Sequence, residues 1–320
     1  MKILVTGAVG FDEVPGLKEF TQGCDVCFVT DGAGLEKNLV GTEVLFGWDF
    51  RGAQLSDYWD LAADLKWIHW CGAGVDGILF DELSNSNVVV TNAKGVFDRA
   101  MAEYVLGLIL MQAKELPVAM DLQRNRKWEL LVAKNIKDCH AVIFGVGSIG
   151  RETARLLKAA GMKVSGVGRT PRSEDADFGT IYGKDDRLSL AGQADWVVAI
   201  LPSTTQTKGY FDTEFFSAMK SSGRFINLGR GDAVIEPALI AALESGVIAG
   251  AALDVFANEP LPKDDPLWQA PNLIITPHIS SYYHGYLEDL VGQFRENLQR
   301  YQRGEPLLNL IDKKLGYSAH

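Results

Sequence analysis

The run His140-Ala141-Val142-Ile143-Phe144-Gly145-Val146-Gly147-Ser148-Ile149-Gly150 decides how this chain folds. His140–Phe144 is short, apolar and bounded by glycine, which reads as a buried strand. The following G-x-G-x-x-G opens a helix around Ile149. Gly161 ends that helix, and Met162–Val167 reads as the next strand. Strand, glycine turn, helix, strand is a βαβ unit with parallel strands. Each glycine has its own task. Gly145 makes the tight turn, Gly147 leaves room for a pyrophosphate against the backbone, and Gly150 lets helix and strand pack closely. The helix N-terminus adds free N–H groups and a favourable dipole for phosphate. Gly145, Gly147, Ser148, Ile149 and Gly150 are therefore candidate dinucleotide contacts.

The end of the second strand indicates which dinucleotide. An NAD site has an acid about 20 residues past the loop, for the ribose 2′-hydroxyl. Here the residues are Val167-Gly168-Arg169-Thr170-Pro171-Arg172, with no acid. A 2′-phosphate calls for a guanidinium fork. Arg169, Thr170 and Arg172 become candidate cofactor contacts, and NADP is expected over NAD.

Outward from this unit the alternation continues in both directions. Strand-like runs lie at 2–6, 25–30, 43–47, 66–70 and 87–91, with helical stretches such as 14–20 and 55–63 between them. A long apolar-rich helix is expected over 98–116, with Asp98 as N-cap and Pro117 as stop. Residues 118–137 read as a polar, basic arm or loop. Further strands are expected at 140–144, 162–167, 195–200, 223–228, 249–253 and 272–275, with helices at 149–160, 213–220, 236–245 and 285–302. The Thr6-Gly7-Ala8-Val9-Gly10 turn lacks a third glycine and reads as structural. The fold class is α/β: two Rossmann-like or flavodoxin-like doubly wound parallel-sheet domains with a cleft between them.

Composition narrows the function. A chain of 320 residues holds about two domains. No apolar run reaches the ~18–20 residues of a membrane span. The N-terminus reads as a buried strand rather than a signal peptide, so cytoplasmic residence is expected. A net charge of −10 argues against nucleic-acid binding. It also repels anions at long range, so a site for an acid must supply its own positive charge and N–H donors. Cys24 and Cys27 form a lone C-x-x-C with no further ligands at zinc spacing. They read as reduced thiols, and no metal is expected.

Three ordered motifs carry a resemblance. They are Asn227-Leu228-Gly229-Arg230-Gly231, then Ala252-Leu253-Asp254-Val255-Phe256-Ala257-Asn258-Glu259-Pro260-Leu261, then Thr276-Pro277-His278-Ile279-Ser280. Arg230, Glu259 and His278 stand 29 and 19 residues apart. Cys71-Gly72-Ala73-Gly74-Val75-Asp76, Ala102–Leu106 and Leu201–Thr207 match as well. The chain resembles the D-isomer-specific 2-hydroxyacid dehydrogenase family over nearly its whole length. Gly168-Arg169 is most similar to the NADPH-using glyoxylate/hydroxypyruvate reductases. The resemblance implies a discontinuous substrate domain, 1–97 plus 285–320, around a dinucleotide-binding domain, 98–284. It also implies a homodimer built around 98–140.

The chemistry of reducing a small 2-keto acid agrees. A proton must reach the carbonyl oxygen as charge builds there, and the carboxylate must be held. The resemblance assigns the proton to His278, whose ordinary range is near neutral. Glu259 would favour the imidazolium and orient the ring. Arg230 would pair with the carboxylate and polarise the keto oxygen. The N–H groups of Gly72, Ala73, Gly74 and Val75 would hold the other carboxylate oxygen. Asp254 is expected near the nicotinamide, and Pro202 and Thr207 on the adenine side. The expected partner is thus a small 2-keto or 2-hydroxy acid. One rival is a formate dehydrogenase, a subgroup that carries Gln where this chain has Glu259. The other is a non-catalytic NAD(H)-sensing protein like the corepressors that resemble this family.

Overall fold

The computed structural model describes residues 1–49 and 54–317. Two compact units divide the chain, Met1–Phe97 with Tyr283–His320, and Asp98–Tyr282.

The first unit is built on five parallel strands, β1 (Lys2–Thr6), β2 (Asp25–Val29), β3 (Val44–Gly47), β4 (Trp67–Trp70) and β5 (Val89–Asn92). They lie in the order β2-β1-β3-β4-β5. Ile3, Leu4 and Val5 are wholly buried, as are Val44 and Phe46, because helices cover parallel sheets on both faces. The helices are short: α1 (Leu17–Phe20), α2 (Gly32–Asn38) and α3 (Asp81–Asn85). Two expected helices shrink. Gly16 is left-handed at φ 70°, so α1 starts only after it. Residues Leu55–Leu61 form 3-10 turns broken at Tyr58, where φ is −120°.

The second unit opens with α4 (Asp98–Ala113) and α5 (Leu116–Arg124). The second helix corrects the expected loop. Pro117 does not stop a helix but sits in the first turn of a new one, where its missing N–H costs nothing. Glu115, at φ 52°, makes the break. Next come β6 (His140–Phe144), α6 (Ser148–Ala159), β7 (Lys163–Val167), β8 (Arg172–Asp175), β9 (Gly179–Tyr182), α7 (Arg187–Ala191), β10 (Trp196–Ala199), α8 (Thr213–Ala218), β11 (Arg224–Asn227), α9 (Glu236–Glu244), β12 (Gly250–Leu253) and β13 (Leu273–Ile275). The eight strands run β13-β12-β11-β10-β6-β7-β9-β8, all parallel except β8 against β9. The order reverses at β6, where the glycine turn leads into α6; that is the switch point where doubly wound sheets bind ligands.

The β8–β9 hairpin is absent from the sequence reading because Arg172-Ser173-Glu174-Asp175 carries no apolar alternation. Ion pairs to Asp175 hold it instead. In this unit α4 packs along α6, and Gln112 of α4 accepts a buried 3.0 Å bond from Trp196 Nε1 of β10. The chain then returns to the first unit as α10 (Tyr286–Arg303). Phe294 stacks on Phe46 at 4.0 Å and on Trp67 at 5.5 Å.

Candidate active site

The glycine turn has the geometry its spacing demands. Gly145 has φ 111°, and a Cβ there would meet the Ile200 carbonyl oxygen at 2.3 Å. A Cβ on Gly150 would lie 1.9 Å from the Gly145 oxygen, so no side chain fits where α6 meets β6. Gly147 is different: nothing lies within 4 Å of its Cβ position, and it is the N-cap of α6. That open space before a 12-residue helix suits a pyrophosphate. The Ser148 hydroxyl donates to Asp98 at 3.1 Å, tying the turn to α4. Ile149 is partly buried beside it.

Arg230 follows β11 in extended backbone, φ −138° and ψ 141°. The flanking glycines serve the protein's own backbone rather than leaving room for a ligand. A Cβ on Gly229 would lie 2.7 Å from the Leu201 backbone, and one on Gly231 1.9 Å from the Phe256 carbonyl carbon. Asn227, wholly buried, staples the loop: its Nδ2 donates to the Arg230 carbonyl at 3.0 Å, and its Oδ1 accepts from Gly229 N at 3.0 Å. Sequence reasoning missed Asn227; an amide at the end of an apolar strand was the available signal. The Arg230 side chain is partly buried and donates through Nη1 to the Gly229 carbonyl at 2.9 Å.

Glu259 and His278 meet directly. His278 Nδ1 lies 2.7 Å from Glu259 Oε2, while Glu259 Oε1 accepts from Phe256 N at 2.9 Å. Burial pushes the Glu259 carboxyl up, but the His278 and Phe256 hydrogen bonds, with the charges of His278 and Arg230, outweigh it. The net direction is below the usual carboxylate value. The loop between Phe256 and Glu259 is pinned from outside as well, by Ala257 N donating to Glu236 at 2.9 Å.

His278 has φ 54°, a left-handed conformation that costs a non-glycine residue about 1–2 kcal/mol. Asp254 holds the turn that imposes it. Its wholly buried carboxylate accepts Thr276 Oγ1 at 2.6 Å, Ile279 N at 3.0 Å and Ser280 N at 2.9 Å. The expectation at Asp254 was a place near the nicotinamide; the bonds its oxygens make here are to the backbone and hydroxyl around His278.

The other expected contacts are spread more widely. Arg169 and Thr170 are exposed after β7. Arg172 is exposed too, and its Nε and Nη2 donate to Asp175 at 3.1 and 2.9 Å. The Thr207 hydroxyl donates to the Pro202 carbonyl at 2.6 Å and accepts from Thr204 N at 2.9 Å, closing the 202–207 loop on itself. Gly72–Val75 lie in the first unit, after β4. The Gly72 oxygen accepts from Ala93 N at 3.2 Å, the Ala73 oxygen from Asn92 Nδ2 at 2.5 Å and the Gly74 oxygen from Trp70 Nε1 at 3.0 Å. The turn's carbonyls are thus engaged within the first unit. Among the described residues, no cluster of three or more His, Cys, Asp or Glu could hold a metal ion.

Comparison with known proteins gives this geometry a family. The model of the D-isomer specific 2-hydroxyacid dehydrogenase NAD-binding domain matches residues 106–280. The chain belongs to the D-isomer specific 2-hydroxyacid dehydrogenase family. A human glyoxylate reductase/hydroxypyruvate reductase is 34% identical over 252 residues, covering 77% of this chain and 76% of the relative. Among solved structures, a family member from Xanthobacter autotrophicus in complex with NADPH superposes with a TM-score of 0.85 at 30% identity, covering 99% of both chains. An NADPH-dependent glyoxylate/hydroxypyruvate reductase from Sinorhizobium meliloti, in complex with NADP and sulfate, gives 0.85 at 27% identity, again over 99% of both. The family is thus carried by the unit that holds Arg230, Glu259 and His278, and the likeness of fold extends over the whole dehydrogenase chain.

Proposed function

We propose that this chain is an NAD(P)H-dependent reductase that converts a small 2-keto acid to the D-2-hydroxy acid, with NADPH preferred. The observation that carries the reading is the His278–Glu259 contact at 2.7 Å. A ring held through Nδ1 has Nε2 as its remaining proton-bearing atom, which is the arrangement a general acid needs. Glu259, ionised to below the usual carboxylate range, orients that ring and balances its charge.

The cofactor site fits a dinucleotide: open space over Gly147, the N-terminus of α6, and Arg169 and Arg172 past β7 where an NAD site would have an acid. Bound there, the nicotinamide would supply the hydride. The chain's own residues do the rest. Arg230 pairs with the substrate carboxylate and polarises the keto oxygen, lowering the cost of the charge that builds on it. His278 delivers the proton as the alkoxide forms, and in the reverse direction the neutral ring takes it back. The relatives named as glyoxylate and hydroxypyruvate reductases support small keto acids as the substrate class.

The substrate domain is Met1–Phe97 with the returning α10 and tail, and the dinucleotide domain is the intervening unit. A homodimer through 98–140 is supported by the arm after α5, where Trp128, Leu130 and Val132 are 102%, 94% and 89% exposed. So much apolar surface on one arm is what a partner copy covers. Cytoplasmic residence is supported by four free cysteines, Cys24, Cys27, Cys71 and Cys139. No helix among the described residues is long and apolar enough to cross a membrane.

The test is steady-state turnover of glyoxylate, hydroxypyruvate, pyruvate, phenylpyruvate and bulkier keto acids, each with NADPH and NADH. Turnover with none of them would overturn the enzymatic reading in favour of a cofactor-sensing protein.

A further inference from the structure

The ion pairs around the β8–β9 hairpin bear on how the cofactor end of the site is ordered. Asp175 ends β8, and its side chain is only 5% exposed. Arg151 of α6 grips it with both arms, Nη1 to Oδ1 at 3.0 Å and Nη2 to Oδ2 at 2.8 Å. The turn that follows points two backbone donors at the same carboxylate, Asp177 N at 3.1 Å and Phe178 N at 3.2 Å. Arg151 is itself fixed by Asp177 Oδ2 at 2.7 Å and lies over the Phe178 ring at 5.8 Å. Asp175 therefore has a place set by the fold, whatever Arg172 does.

Arg172 is the opposite case. Its side chain is 43% exposed, and it meets Asp175 Oδ2 through Nε and Nη2, the two donors on one edge of the guanidinium. A loose, long side chain is thus held by one edge against a rigid anion, which spares a ligand much of the entropy of ordering it. The anchor is tied to α6, whose N-terminus lies at the glycine turn. Phosphate-facing helix and arginine are thereby set in one frame.

We propose that Asp175 is a positioning residue for recognition of the cofactor's 2′-phosphate: it presets Arg172, by its Nε–Nη2 edge, beside the end of β7. The proposal rests on the NADP reading above and adds to it a residue that touches no ligand. Arg151 is the partner that keeps Asp175 ionised beside Arg172. The hydrogen bond from Arg151 is the largest cause of a carboxyl held far below the ordinary range.

The experiment compares KM for NADPH and for NADH in wild type, Asp175→Asn, Arg172→Met, the double variant and Arg172→Lys, with thermal melting alongside. Asp175→Asn is expected to raise KM for NADPH about three- to tenfold more than KM for NADH, the scale of one charged hydrogen bond discounted for solvent. In the Arg172→Met background the same change should add little. Arg172→Lys keeps the charge but loses the edge, so it should lose most of what Arg172→Met loses. That arm reads the proposal even if Asp175→Asn folds poorly. Equal effects on both cofactors, additive losses in the double variant, tighter NADPH in Asp175→Asn, or wild-type behaviour in Arg172→Lys would each overturn it. A wild type that prefers NADH would overturn the NADP reading and this inference together; a wild type that prefers NADPH with an unmoved Asp175→Asn would overturn this inference alone.

Discussion

His278 Nδ1 lies 2.7 Å from Glu259 Oε2, and the same carboxylate's other oxygen takes the Phe256 N–H at 2.9 Å. The acid is thus fixed at one end by its own backbone and presents the other to the ring. The coupling has a definite sign. Glu259 sits below the ordinary carboxylate value of about 4.3, so the pair is present above that value and is lost only as pH falls through the lowered one. Reduction should therefore fail on the acid side, where Glu259 takes up a proton and the pair is lost. Glu259→Gln keeps a hydrogen-bonding partner but removes the group that titrates, so the acid limb of the reduction profile should disappear. A limb that stays in place in the measured profile would remove Glu259 from the mechanism.

Removing the ring itself should cost more. His278→Ala is expected to lose roughly 10²–10⁴-fold in turnover, the usual worth of a positioned acid. Arg230→Ala should damage KM and kcat together, because it touches carboxylate and carbonyl alike. Steady-state kinetics on both variants separates the roles, and near-wild-type turnover in His278→Ala would sink the mechanism.

Cofactor choice should be readable at one exposed side chain. Arg169→Ala is expected to weaken NADPH by about 10- to 100-fold, what a charged hydrogen-bonding partner is worth, and NADH far less. Equal losses for the two cofactors would refute the assignment.

The glycine turn offers a paired test. Gly150→Ala forces a Cβ to 1.9 Å from a backbone oxygen, so the protein should melt markedly earlier or fail to fold. Gly147→Ala meets nothing within 4 Å and has φ −72°, so it should fold and melt like wild type while binding dinucleotide poorly. Calorimetry with cofactor titration distinguishes them; undiminished binding by Gly147→Ala would mean the pyrophosphate does not lie there.

Acid should weaken the first unit through His69. This ring is wholly buried in β4, bonded through Nδ1 to Thr91 Oγ1 at 2.8 Å, and burial pushes its pKa down to about 3. The unfolded chain takes up the proton near 6.5, so between those values the unfolded state holds more protons and stability falls as pH falls. The slope from this group approaches ~1.4 kcal/mol per pH unit. His69→Leu should flatten the pH dependence of denaturant midpoints in that window; an unchanged slope would show that other groups carry it.

Much of this was legible in the residues because it depends on local order. The glycine spacing at 145–150 predicts a strand–turn–helix, and the structure places β6 and α6 within a residue of the expected bounds. The six expected strands of the second unit appear for a related reason: most are short apolar runs, such as the buried Trp196–Ala199, and a parallel sheet buries such a run on both faces. The α5 helix did not announce itself, because Pro117 is compatible with either a stop or a first turn, and only the left-handed Glu115 chooses between them. The β8–β9 hairpin left no apolar pattern either; it is held by charges from α6, which are distant in sequence.

What the sequence by itself determined is the inventory and the order: a dinucleotide turn, two arginines where an acid would stand, and Arg230, Glu259 and His278 at fixed intervals. What only the tertiary structure decided is which groups hold them. Asn227 and Asp254 stand inside the motifs, but the motifs do not say that they shape the loops bearing Arg230 and His278 through bonds to backbone N–H and carbonyl groups. The glycines beside Arg230 serve backbone contacts to Leu201 and Phe256, not a ligand. The physical reason is common to Asn227 and Asp254. A buried polar group is satisfied by whichever partner the fold brings within about 3 Å, and that partner can lie anywhere along the chain.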